Sequence, residues 1–168
     1  MSETPKFALL TDLGTIVVPA DYDHTKALAK FAKANKKKCC YFNPTLTDAN
    51  FSNPTRVLKA GDRLRVRAFE QIVSGMTSSA DRMDFLRTQQ AVFTGAQGMA
   101  LVFEQLRTKL PKGKWYASLD EKRRLPVVDG YRGVPDVRAF NDGNFYVDLG
   151  EFGLPWMRSN TLLCFSDE

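Results

Sequence analysis

The chain has 168 residues, 43% hydrophobic and 26% charged, with 12 phenylalanines that need burial and a net charge of +5. That is enough apolar material for one domain with a real core, too little chain for two, and far from a disordered composition. No apolar run approaches the length of a membrane span, and the start MSETPKFALLTD lacks a basic region followed by a hydrophobic stretch, so neither a membrane nor a secretory route is expected.

The first segment, KFALLTDLGTIVVP, reads as two short strands around Asp12, Leu13 and Gly14, a hairpin closed by Pro19. From Asp23 to about Asn35 the pattern becomes helical, with Asp23 as N-cap and Ala27, Leu28, Phe31 and Ala34 on the apolar side. The other side carries Lys26, Lys30, Lys33 and Lys37 at intervals of four, three and four, one cationic stripe if the helix reaches Lys37. CCYF, residues 39–42, reads as a strand, and NPTLTDANFSNPT, residues 43–55, as a loop.

RVLKAGDRLRVRAFEQI then predicts a strand, a turn at Ala60 and Gly61, and a second strand. Arg63, Arg65 and Arg67 occupy every second position of that second strand, so they share one face opposite Leu64, Val66 and Ala68. Ser78 or Ser79 opens a helix whose first turn holds Asp81, and Thr94 and Gly95 break it. A second helix runs from about Ala96 to Leu110, with Met99, Val102, Phe103, Leu106 and Leu110 on one face. KWYASL, VPDVRAF, NFYVDL and TLLCF return to strands, the middle two as a hairpin around Asn141, Asp142 and Gly143. Helices and strands do not alternate regularly, which predicts a single α+β domain over residues 1–168, a mainly antiparallel sheet with two or three helices packed on one face.

No nucleophile elbow, phosphate loop, zinc-protease helix or dinucleotide fingerprint is present, and no cofactor or metal is implied. The single histidine, His24, lies at a helix start with no partner constellation. Cys39 and Cys40 follow Lys36, Lys37 and Lys38, a setting that favours a thiolate, but the apolar Tyr41 and Phe42 beside them favour burial, as TLLCF does for Cys164. Three cysteines without bridge or zinc spacing suit reduced thiols in a cytoplasmic protein. Thr94 to Gly98 could present free amides to an anion, although an ordinary cap with close helix packing is the plainer reading. Asp129, Asp136, Asp142, Asp148 and Glu151, with Tyr146 and Trp156 near them in sequence, could form a hydrolase or cation site only if distant carboxylates converge; they are expected not to.

Charge supplies the functional expectation. Residues 1–75 hold 12 Lys/Arg against 7 Asp/Glu, whereas residues 76–168 hold 12 of each. Between His24 and Arg67, 11 basic residues face only Asp48 and Asp62. A lysine stripe and an arginine row so close in sequence predict one basic surface formed by Lys26, Lys30, Lys33, Lys37, Arg63, Arg65 and Arg67, with Tyr41 and Phe69 available to stack. The expected activity is binding, most simply to nucleic acid and otherwise to an acidic protein, with self-association open and no membrane partner. The alternatives are a small hydrolase using the C-terminal acids and a module whose task is protein assembly.

Overall fold

The computed structural model describes residues 3–168. Eight strands form one mixed sheet: β1 (Phe7–Val17), β2 (Tyr41–Phe42), β3 (Arg63–Gln71), β4 (Lys114–Ala117), β5 (Val127–Val128), β6 (Tyr131–Ala139), β7 (Phe145–Glu151) and β8 (Asn160–Asp167). Their order is β1-β3-β8-β4-β6-β7-β2, with β5 paired to β6 beside this path. Only β8 with β4 and β7 with β2 run parallel, so the sheet is mainly antiparallel, as the irregular order of helical and extended segments implied.

The three helices are α1 (Ala27–Asn35), α2 (Ser79–Thr88) and α3 (Gly95–Leu106). Two of them share a face. α3 lies across the sheet from β1 to β6 and carries α1 against its side, where Phe31 meets Phe42 and Phe103. Their core takes Leu13 and Ile16 of β1, Leu64, Val66 and Ala68 of β3, Val137 of β6 and Leu163 and Phe165 of β8. The alternate residues of β8, Leu162 and Cys164, join a second core with Phe7, Phe69, Trp156 and the α2 residues Met83 and Leu86. α2 therefore covers the opposite face.

Local sequence explains most of these elements, and the exceptions are physical. Residues 7–17 form one strand, not the expected hairpin, because β1 pairs with β3 along its whole length and absorbs the misfit in two bulges, between Leu9 and Thr11 and between Asp12 and Gly14. Gly14 serves the second bulge at φ +98°, a conformation that side chains disfavour. Asp23 does not cap α1; its carboxylate closes a turn on Thr25. The helix is capped from a distance by Asp48, which accepts the amides of Leu28 at 2.8 Å and Ala29 at 3.0 Å. α1 ends at Asn35 and continues as a short 3-10 turn over Lys36–Lys38. Residues 56–58, read as a strand from sequence, pair with no strand, and of CCYF only Tyr41 and Phe42 do. Ser78 and Asp81 form a reciprocal capping box on α2. Asp129 and Gly130, both at positive φ, make the tight turn from β5 to β6, and Gly143 at φ +87° turns β6 into β7.

Arg82 of α2 holds the second layer in place. It is fully buried, donates from Nε to Thr77 Oγ1 at 2.9 Å, from Nη1 to Asn160 O at 2.6 Å, and from Nη2 to Gln71 Oε1 at 3.3 Å and Met157 O at 3.1 Å. The rings of Phe7 and Trp156 lie beside it. No carboxylate is among its partners, and burial lowers its pKa to about 10. Neutral acceptors from β3, β8 and the loop before β8 thus converge on one guanidinium.

Replacing Arg82 by Met leaves Thr77 Oγ1 and Asn160 O without the buried donor, while Gln71 Oε1 keeps the Thr77 hydroxyl and Met157 O the Asn160 amide. With two acceptors orphaned at roughly 1–3 kcal/mol each, unfolding free energy falls by about 3 kcal/mol. Asp48→Ala removes only a cap and costs about 1 kcal/mol. Urea unfolding of the two variants beside the parent protein measures both losses and checks that the first exceeds the second.

Candidate functional site

Lys26, Lys30, Lys33 and Lys37 are all exposed, and the turn after α1 adds exposed Lys36 and Lys38. Together they make a cationic ridge along α1 and its following turn, with Lys26, Lys30 and Lys38 toward α3 and Lys36 toward Phe42 and Pro44. Among the described residues one ion pair involves this ridge, Lys30 with Asp21 at 2.7 Å, and that pair is itself open to solvent. A groove of about 550 Å³ lies between α1 and α3, with Tyr22, Phe31 and Leu101 in its lining. Lys26, Lys30, Lys38 and Arg107 reach it, but so do Asp21, Asp23 and Glu104, so the groove does not concentrate positive charge as the ridge does.

The arginine row does not extend this surface. Leu64, Val66 and Ala68 enter the core under α1 and α3, which sends Arg63, Arg65 and Arg67 to the face that α2 covers. The two basic rows therefore lie on opposite faces of the sheet, and the continuous surface expected from their closeness in sequence does not form. The arginines also have partners. Arg65 is gripped by Asp12, through Nε at 2.9 Å and 3.1 Å and Nη2 at 2.5 Å, and the guanidinium holds the Asp12 carboxyl below its ordinary value. Arg63 stands 4.0 Å from Glu168. Arg67 bonds the side chain and carbonyl of Gln89 and lies over the Phe69 ring. Phe69 is buried against Phe85 and cannot stack on a ligand, whereas Tyr41 is 41% exposed.

Tyr41 belongs to an arrangement that sequence spacing does not reveal. Strand register sets Trp115 of β4 opposite Arg138 of β6, Arg138 opposite Tyr146 of β7, and Tyr146 opposite Tyr41 of β2. These four form one cross-strand row on the same side of the sheet as α2, beyond the strands that α2 covers. The Arg138 guanidinium stacks on Trp115 and lies 5.4 Å from the Phe140 ring centre and 5.5 Å from that of Tyr146. Tyr41 and Tyr146 have ring centres 5.7 Å apart, Phe140 and Tyr146 4.7 Å apart. Trp115, Arg138, Phe140 and Tyr146 are half-buried. The four residues of the row are scattered from position 41 to 146, and only strand pairing unites them.

The next row holds two of the acids. Asp136 and Asp148 stand directly opposite each other on β6 and β7, so two of the C-terminal acids meet in the sheet, with Asp136 buried. Directly opposed residues bring their Cβ atoms to about 4.5–5.5 Å. Asp148 accepts from Asn43 Nδ2 at 3.0 Å and from the Leu149 amide. Both oxygens of Asp136 lack a hydrogen-bond partner. Burial, reinforced by Asp148 and opposed by Arg138, pushes its carboxyl from 3.8 up to about 8. Asp136 is only 1% exposed, so it presents no proton to a molecule in solvent, and the pair lacks the open cleft a hydrolase needs. Glu151 follows the opposite alternation on β7, Asp129 sits in the β5-β6 turn, and Asp142 accepts from Asn144 in the β6-β7 turn. Among the described residues no group of three or more His, Cys, Asp or Glu could hold a metal ion.

The remaining candidates serve structure. His24 contacts the Ser52 carbonyl at 2.9 Å and the Tyr22 hydroxyl, tying the start of α1 to the following loop. Burial pushes the Cys39 thiol up to about 11, away from thiolate reactivity; Cys164 is buried and Cys40 exposed. Thr94 through Gly98 are buried, and a Cβ on Gly98 would strike the Thr94 side chain, so this helix start is packed against the sheet. No helix of the described residues is long and apolar enough to cross a membrane. Comparison of the chain with protein-family models, with curated proteins and with solved structures gave no match in any of the three.

Asp136 makes stability depend on pH. Between about pH 4 and 8 the unfolded chain has released this proton while the folded protein keeps it, so folding is increasingly penalised as pH rises through that window and the penalty levels off above it. Asp136→Asn removes the ionisation. Its stability relative to the parent protein should therefore grow from pH 4.5 to pH 7.5, by roughly 2–4 kcal/mol, because each tenfold fall in proton concentration inside the window weighs about 1.4 kcal/mol against the folded parent. Urea unfolding at the two pH values measures the difference, and an equal effect at both would show that Asp136 ionises normally.

Proposed function

We propose that this protein binds an anionic macromolecule, nucleic acid being the form that suits it best, through the lysine ridge of α1 and the turn that follows it. The observation that carries this reading is the exposure of Lys26, Lys30, Lys33, Lys36, Lys37 and Lys38 along one short stretch with a single ion pair among them. Uncompensated ammonium groups at helical spacing attract phosphates over a distance set by salt, and they gain by releasing condensed counterions when they meet a polyanion. A solvated helix face has the same composition, so binding itself is the decisive measurement.

The arginine row takes a lesser part in this proposal than its spacing suggested. Arg65 is held by Asp12 and Arg67 by Gln89, so their guanidinium groups would have to give up existing partners to reach a phosphate. Among the ridge lysines Lys30 would give up Asp21 and Lys38 its contact with Asn35, whereas Lys26, Lys33, Lys36 and Lys37 have no ion pair among the described residues.

A labelled oligonucleotide titrated at several salt concentrations tests the proposal. Affinity should fall with salt at a log-log slope of about −0.7 to −0.9 per phosphate neutralised. Replacing Lys26, Lys33 and Lys37 together by Gln should weaken binding across sequences and reduce the slope by roughly one unit for each phosphate no longer neutralised. The same exchange at Arg63, Arg65 and Arg67 should leave the slope nearly unchanged. Absence of binding to any DNA or RNA at low salt would end the nucleic-acid reading.

A further inference from the structure

Resting on that reading, we infer that the nucleic acid is single-stranded and that its bases stack on the cross-strand row Trp115, Arg138, Tyr146 and Tyr41. Three observations support a partner that offers both flat apolar faces and negative charge. First, strand register places three aromatic rings and one guanidinium in a line across β4, β6, β7 and β2. Four strands spaced about 4.8 Å apart make a row about 14 Å long. Second, α2 packs over the Met83 and Leu86 side of this face, with Phe69, Leu162 and Cys164, and the row lies outside that core. Tyr41 at its end is 41% exposed on a two-residue edge strand, where its ring is open to a partner.

Third, charge lies where a phosphate chain would need it. Lys36, Lys37 and Lys38 are exposed in the turn that leads from α1, on the other face, to the edge strand β2. The three-residue step from Lys38 to Tyr41 spans at most about 11 Å, so a strand stacked on the row meets them by passing round this edge. Arg138 places a cation inside the row itself. Asp148 lies in the neighbouring row, opposite the buried Asp136, and its carboxylate repels phosphates; a strand that stacked here would keep its backbone away from it and pass toward the β2 edge. A duplex fits poorly, because its bases already stack on one another and expose only edges in the grooves. In a single strand every base has a free face, and Tyr41 and Tyr146 can receive it without reading sequence.

The test compares a labelled oligothymidylate of about 20 nucleotides, long enough for one such site, with a duplex of equal length at low salt. The single strand should bind at least about tenfold more tightly, and Tyr41→Leu should weaken it roughly 5- to 100-fold, the range for removing one stacked base. Tyr41→Phe keeps the ring and should retain affinity. The salt slope should be the same in all three proteins, because stacking releases no counterions. Tyr146→Leu gives a second reading of the row. Equal affinity for single strand and duplex, or unchanged affinity in both Leu variants, overturns the stacking inference and leaves the lysine ridge as a general phosphate binder. Failure of the parent protein to bind either oligonucleotide overturns both.

Discussion

Strand β8 is buried on both faces, and the layering of the domain follows from that. Thr161, Leu162, Leu163, Cys164 and Phe165 are all inaccessible, with Leu163 and Phe165 facing α3 and Leu162 and Cys164 facing α2. A strand with no solvent face needs cover above and below. α3 supplies one layer by lying flat across the sheet with nearly every residue buried. The other layer is smaller. It consists of α2 and the loop carrying Trp156, fastened by the bonds of Arg82 and by the bond from Trp156 Nε1 to Ser79 Oγ at 2.7 Å. A buried arginine without a carboxylate is tolerable because four well-placed acceptors replace its water.

This layering decides how charge is distributed. Once Leu64, Val66 and Ala68 are committed to the α3 side, the arginines between them must emerge beside α2, while the lysines of α1 emerge on the far side of the molecule. Two basic features that are neighbours in the chain are thereby separated by the thickness of a sheet. The arginines then find nearby acids at the strand edges, Asp12 from β1 and Glu168 next to β8. Such exposed pairs add little stability, yet they occupy the guanidinium groups. Of the lysine ridge, Lys26, Lys30 and Lys38 share their groove with Asp21, Asp23 and Glu104, and one ion pair forms there among the described residues.

The same sheet that separates the basic rows assembles the aromatic one. Trp115, Arg138, Tyr146 and Tyr41 come from four strands, and Asp136 meets Asp148 for the same reason. Asp136 is a buried carboxyl with no hydrogen-bond partner among the described residues. Its neighbours account for that: Gly150 lies diagonally across from it with the Trp156 ring above, and a residue larger than glycine there would strike the ring. The tight cover that seals Asp136 also withholds it from substrates.

Local patterns in the chain determined the α+β class, the starts of α2 and α3, the β6-β7 hairpin and the lysine stripe; α2 ends at Thr88, short of the break read at Thr94, and α3 at Leu106, where a 3-10 turn follows. Those signals are short-range: helical spacing of apolar residues, a Ser-Asp capping box, Gly and Asn in turns. Tertiary structure decided whatever depends on partners distant in sequence. The N-terminal segment reads as a hairpin because Gly14 resembles a turn, and only pairing with β3 shows that it is a bulge. Asp23 has the position of a cap, but Asp48, twenty residues after the helix start, has the geometry. The alternation of Arg63, Arg65 and Arg67 states that they share a face, yet which way that face points depends on where α3 packs. Register between strands is a long-range quantity set by the whole sheet, so the row from Trp115 to Tyr41 and the opposition of Asp136 and Asp148 exist only once the strands have met.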